Sequence, residues 1–139
     1  MMYDEQNIFA RILRGEIPSE KLFEDDHVLA FMDIMPQVDG HCLVIPKKPS
    51  VRLLDADPTV FLPLFTAVQK LGNAVTTAFN ADGVTIMQFN GSAAGQTVFH
   101  LHVHVMPRKV GVPVKPHSGK MEDIEIIKKN AALIRAALA

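Results

Sequence analysis

Apolar residues recur along this chain with two periods, and the places where the period changes mark its elements. In "NIFARILRGEIP", Ile8, Phe9, Ile12 and Leu13 are spaced for one face of a short helix, which Gly15 and Pro18 stop. "KLFEDD" followed by "HVLAFMD" predicts a hairpin with Asp25 and Asp26 in its turn. "HCLVIPKKP" predicts a third strand closed by Pro46 and Pro49. From Asp57 to Asn80 the pattern is helical. Asp57 suits the cap and Pro58 the first helical position, and Phe61, Leu64, Phe65, Val68, Leu71, Val75 and Phe79 form one stripe. Pro63 interrupts that stripe and predicts a kink or a restart of the helix. "GVTIMQF" reads as a fourth strand, "NGSAAGQT" as a loop and "VFHLHVHVM" as a fifth strand. A last helix is expected from Glu122 to Leu138, acidic at its start and basic later, as the helix dipole favours.

Strands gathered around one long helix and joined by short turns indicate an α+β domain. Its sheet would be antiparallel with about five strands, flanked by a short N-terminal and a C-terminal helix. At 139 residues, 48 % of them hydrophobic, the chain has material for one core and is expected to be a single domain.

Composition narrows the function by exclusion. The net charge is −1 and the basic residues are scattered, so no footprint for nucleic acid is visible. Cys42 is the single cysteine, which excludes an internal disulfide and a cysteine-built zinc site. No apolar stretch has membrane-spanning length, and the early acidic residues are unlike a signal peptide. A soluble cytoplasmic protein is expected.

The candidate chemistry lies in "HLHVHVMPR", residues 100–108, which holds three of the six histidines at alternate positions. On a strand, alternate side chains share a face about 6.6–6.8 Å apart. His100, His102 and His104 would then line one face while Leu101, Val103 and Val105 enter the core. A purely structural row would require partners for every buried ring nitrogen. A metal site would need further ligands, and no HExxH, CxxC or nearby carboxylate completes one. Imidazole as nucleophile, acid and anion binder near pH 7 fits the pattern best.

The loop "NGSAAGQT" just before it, with Gly91 and Gly95, has the composition to turn backbone N–H groups toward a phosphate. By itself it would pass for an ordinary connection. Asp33 alone reads as a turn residue, His41 as structural, and His27 and His117 as surface residues.

"GQTVFHLHVHVMPR" resembles the signature of the histidine-triad (HIT) family, three histidines alternating with apolar residues after Gly-Gln-Ser/Thr. The likeness extends through "NIFARILRGEIPS", "FEDD", "AFMDIMPQ" and "GHCLVIPKKP", so it covers a core of residues 7–108, with 109–139 as a C-terminal tail and helix.

The resemblance implies a HIT-like fold and a nucleotidyl hydrolase or transferase. It would cleave a nucleoside 5′-phosphoramidate or a dinucleoside polyphosphate and release a nucleoside monophosphate. His102 is implied as the nucleophile that carries the nucleotidyl group. His104 is implied at the phosphate or leaving group, assisting proton transfer, with His100 and His41 as the relay that sets the tautomer and orientation of His102. Gly95, Gln96 and Thr97 fall at the phosphate and Asp33 at the ribose hydroxyls. Ile8, Phe9, Phe31 and Ile34 fall around a purine base. A homodimer is implied. No cofactor is required, although Mg²⁺ would suit a polyphosphate substrate.

Two departures stand out. Some bacterial members carry a Cys-Ile-Phe-Cys pair for structural zinc, where this chain has Asn7 and Ala10, so no metal ligand is assigned. Phe89 occupies a position where relatives place Asn or Gln, which leaves Asn90 to make that contact and leaves the leaving group open. Arg108 reads equally as a contact to a polyphosphate tail and as a solvated charge. Two other classes stay open on sequence: a nucleotide-binding sensor without turnover, and a metal-binding module built on the histidine strand.

Overall fold

The computed structural model describes residues 2–116 and 119–139. His117, expected at the surface, lies outside the described residues. Five antiparallel strands form one sheet: β1 (Lys21–Glu24), β2 (Val28–Met32), β3 (Cys42–Pro46), β4 (Gly83–Met87) and β5 (Val103–Arg108). Their order is β1-β2-β3-β5-β4. Three helices accompany them: α1 (Ile8–Leu13), α2 (Phe61–Phe79) and α3 (Ile124–Leu138). This is the α+β arrangement expected from the hydrophobic pattern. Among the described residues, no helix is long and apolar enough to cross a membrane.

The central strands are buried on both faces, which explains why "VLAFM" and "CLVIP" read as unbroken apolar runs. Val28, Ala30, Met32, Cys42 and Val44 join Leu101, Val103 and Val105 in a core against α2 and α3. Leu29, Phe31, Leu43 and Ile45 point the other way and pack with Phe9 and Ile12 of α1. Leu43 stands opposite His104 across the ladder, which puts that histidine on the α1 face. The side chain of Asn7 caps α1 by accepting from the Ala10 N–H at 2.9 Å.

The awkward proline resolves as a restart. Asp57 caps a single 3₁₀ turn, Pro58–Val60, and α2 proper begins at Phe61. Pro63 is thus in the first turn, where its missing N–H has no intrahelical acceptor to lose. The buried stripe of α2 runs through Leu64, Ala67, Val68, Leu71, Ala74 and Val75, while Phe65 remains exposed. The start of α3 moves to Ile124, with Asp123 as its cap.

One strand is shorter than expected. β5 begins at Val103, so His100 and His102 precede it. The continuing ladder would have to use Pro46, which has no N–H, and the Pro46 carbonyl is taken by the His100 ring instead. The Leu101 N–H turns to the Ser50 carbonyl at 2.7 Å. The alternation nevertheless persists through the bend, since Leu101 stays in the α2 core.

Candidate active site

The site forms where the chain enters β5 under α1. His102 is buried, and its Nδ1 lies 2.7 Å from the backbone carbonyl of His100. A carbonyl only accepts, so the proton resides on Nδ1 and Nε2 carries the lone pair. Phe9 meets the His102 ring edge-on at 4.9 Å between centroids, which fixes its tilt. Burial lowers the His102 pKa, against the pull of the His100 carbonyl and the Asp33 charge, and keeps the imidazole neutral at pH 7.

His104 lies beside it, with ring centroids 5.1 Å apart. Its Nδ1 is 2.9 Å from Nε2 of buried His41. The Gln37 N–H donates to Nδ1 of His41 at 3.1 Å, so His41 must hold its proton on Nε2 and give it to His104. Nδ1 of His104 is then an acceptor and its Nε2 carries hydrogen. The two neighbouring imidazoles therefore have opposite tautomers, one with a bare Nε2 and one with an Nε2–H.

The ring of His100 points into the protein. Its Nε2 donates to the Pro46 carbonyl at 2.8 Å and its Nδ1 accepts from the Tyr3 hydroxyl at 2.6 Å. Burial is the main reason its pKa falls to about 4. His100 thus sets the His102 tautomer through its carbonyl, and His41 bonds to His104. Asp33 accepts from the Met35 N–H with Oδ1 at 2.8 Å, as a turn residue does, and sets Oδ2 3.4 Å from Nε2 of His41. Cys42 is fully buried with its thiol pKa pushed up by desolvation, and takes no part in the chemistry.

The glycine loop is held from within. Gln96 accepts from the Gly91 N–H at 2.8 Å and donates to the carbonyls of Val51 and Val98, at 2.8 and 3.1 Å. Its amide is buried, so it shapes the loop. The N–H groups of Ala94, Gly95 and Gln96 also donate inside the loop. Exposed Thr97 keeps its N–H without an acceptor among the described residues. Asn90 is likewise engaged: its Oδ1 accepts from the Leu53 N–H at 2.9 Å and its Nδ2 donates to Gln88. Phe89 packs over Gly95, whose φ is +105°, and tilts against the His104 ring at 5.5 Å. An apolar wall therefore stands beside the His104 ring.

Of the four residues expected around a base, Phe9 and Phe31 are buried in edge-to-face contact, while Ile8 and Ile34 are exposed. A feature that the sequence did not signal closes this side. The segment after β5 doubles back, with Lys115 and Gln37 exchanging backbone and side-chain bonds and the Glu122 N–H on the Ile34 carbonyl at 2.8 Å.

Asp33, His41 and His104 bring one donor atom each within 4.8 Å, which is the span of a cation site. The tautomer argues against a metal there. A ligating imidazole donates its other N–H, whereas the other nitrogen of His41 accepts. The zinc pair raised by the resemblance has no counterpart here either, since Asn7 is a helix cap and Ala10 is buried carbon.

A cavity of about 610 Å³ lies away from the histidines, between the β1–β2 hairpin and the start of α2. Its lysines are partnered, Lys48 by Asp57 and Lys70 by the face of Phe23.

Known proteins share this fold. The HIT domain family model matches residues 14–111. The crystal structure of a Hit-like protein involved in cell-cycle regulation from Bartonella henselae superposes with a TM-score of 0.92. It is 54 % identical and covers 98 % of this chain and 99 % of that one. The hypothetical histidine triad nucleotide-binding protein ST2152 from Sulfolobus tokodaii gives a TM-score of 0.85 at 32 % identity, over 94 % of this chain and 90 % of its own. The adenylylsulfatase HINT3 of Arabidopsis thaliana is 40 % identical over 102 residues, 73 % of this chain and 52 % of its own length.

Proposed function

The chain belongs to the HIT domain family, and from that premise we propose that it is a nucleotidyl hydrolase acting on a purine nucleoside 5′-phosphoramidate or a dinucleoside polyphosphate. The observation that carries this is the pair of opposite tautomers, a bare His102 Nε2 next to a His104 Nε2–H. His102 Nε2 attacks the phosphorus attached to the nucleoside, a P–N bond forms and the bond to the leaving group breaks. The cation that develops on the ring is held by the Nδ1–H bond to the His100 carbonyl. His104 Nε2–H stabilises the charge growing on the phosphoryl or leaving oxygen. Water then attacks the same phosphorus: a P–O bond forms as the P–Nε2 bond breaks, the proton of the water passes to solvent, and the nucleoside monophosphate leaves with His102 neutral again.

A hypothetical histidine triad nucleotide-binding protein and an adenylylsulfatase among the similar proteins support the substrate class. The edge strand β4, with Ile86 half exposed, supports a homodimer formed by strand pairing.

The test compares adenosine 5′-phosphoramidate with diadenosine polyphosphates, with and without chelator, for the wild type and His102→Ala. The variant should stay folded while losing turnover and the covalent nucleotidyl adduct seen by mass spectrometry. Hydrolysis at the wild-type rate would remove His102 as the nucleophile.

A further inference from the structure

Resting on the hydrolase reading and extending it, we propose that Arg108 reads the leaving group, and that this group is a phosphate chain. Four observations converge. Strand alternation puts Arg108 on the same face of β5 as His104, with Met106 between them and Val103 and Val105 in the opposite core. The guanidinium leans back toward His104. Nη1 of Arg108 donates to Thr85 Oγ1 at 3.2 Å, and Thr85 stands opposite Met106, whereas the Cα of Arg108 stands opposite Gly83. The charged end is thereby about 7 Å along the strand from His104, a span for linked phosphates and too long for an amine or a single sulfate.

The cation also lacks a partner. Arg11, Arg14, Arg52 and Arg135 each pair with a carboxylate. Among the described residues Arg108 pairs with none, and its Nε is buried without an acceptor. The nearby Asp82 carboxylate is engaged by the Val110 N–H at 2.8 Å. The planar fork of a guanidinium suits phosphate oxygens. The approach is open, since a Cβ on Gly83 would meet nothing within 4 Å.

The fourth observation is independent and concerns protons. The Gln37 N–H on Nδ1 of His41, followed by the His41–His104 bond, assigns each imidazole of the relay a single N–H. Releasing the His104 proton outright would leave an imidazolate. A phosphate chain departs as an anion and needs only a hydrogen bond. An amine leaving group also needs a proton, which this relay supplies less readily than it supplies a hydrogen bond.

The experiment measures kcat/KM for diadenosine tetraphosphate and for adenosine 5′-phosphoramidate in the wild type, Arg108→Gln, Arg108→Lys and Thr85→Val. The ratio of the two constants should fall at least about tenfold in Arg108→Gln, with part of it regained in Arg108→Lys and a smaller fall in Thr85→Val. An unchanged ratio, including equal losses on both substrates, would overturn the assignment. Calorimetric binding of tripolyphosphate, at least about tenfold weaker in Arg108→Gln, reads the same contact without turnover. Failure of hydrolysis as such and failure of the Arg108 assignment are therefore separable, and Arg108→Lys serves if the glutamine variant does not fold.

Discussion

Nε2 of His41 stands 2.9 Å from Nδ1 of His104, and the Gln37 N–H on the far nitrogen of His41 gives that contact one direction. A peptide N–H cannot invert its role, so the relay is anchored by backbone geometry and leaves the hydrogen of His104 on Nε2.

The first prediction tests that direction. His41→Gln retains an N–H donor near the position of Nε2, whereas His41→Asn is too short to reach His104. The asparagine variant should lose kcat/KM about tenfold to a hundredfold, as for one buried hydrogen bond of roughly 1.5–3 kcal/mol. The glutamine variant should lose less. Nitrogen-15 spectra of His104 should show its Nδ1 as the unprotonated nitrogen in the wild type and a mixture of tautomers in His41→Asn.

A second prediction concerns acid stability. Burial holds the His100 pKa at about 4, below the ordinary histidine value near 6.5. Between those values the unfolded chain binds a proton that the folded chain refuses, so stability rises with pH across the window. It is complete above the ordinary value and falls as pH drops toward 4, by on the order of 3 kcal/mol from His100 alone. The lowered pKa of His102 acts in the same sense. Urea unfolding at pH 7.5 and 4.5 should show the loss, and His100→Gln should flatten it.

Tyr3 supports the nucleophile from a distance. Its hydroxyl donates to the ring whose carbonyl holds His102. Tyr3→Phe should cost about 1–3 kcal/mol by leaving a buried nitrogen unsatisfied. It should lower kcat more than it raises KM, since the His100 it orients holds the reacting His102 ring through its backbone carbonyl. Thermal unfolding and steady-state kinetics on the same preparation would check both.

How far the sequence disclosed this arrangement follows from what each residue answers to. The elements were legible because burial on one or both sheet faces writes itself as apolar period, as in Val28–Met32 and Cys42–Pro46. The histidine alternation was legible for the same reason and survives even where the strand does not. The early end of β5 depends on Pro46 facing it across the sheet, a pairing no local pattern reveals. Tyr3, Gln37 and the return of the tail past Ile34 act through single long-range hydrogen bonds, which leave no periodicity. The engagement of Gln96 and Asn90 inside their own loop was hidden likewise, because an amide looks the same in sequence whether it faces a ligand or a carbonyl.

The last prediction concerns Gly40, which precedes His41 and adopts φ +87°. A Cβ there would lie 2.5 Å from Cε2 of Phe79 and 2.9 Å from Cγ of Pro107. Two costs should add in Gly40→Ala. One is the left-handed backbone, on the order of 1 kcal/mol or more for a residue with a side chain. The other is overpacking against the end of α2, about 1–3 kcal/mol. Because the displaced backbone carries His41, turnover should fall along with stability. Combining Gly40→Ala with Phe79→Leu separates the two: it removes the ring contact and leaves the dihedral angle. Chemical denaturation should show partial recovery in the double variant. Full recovery would mean that the ring alone dictates glycine at this position, and none would mean that the backbone and the remaining Pro107 contact do.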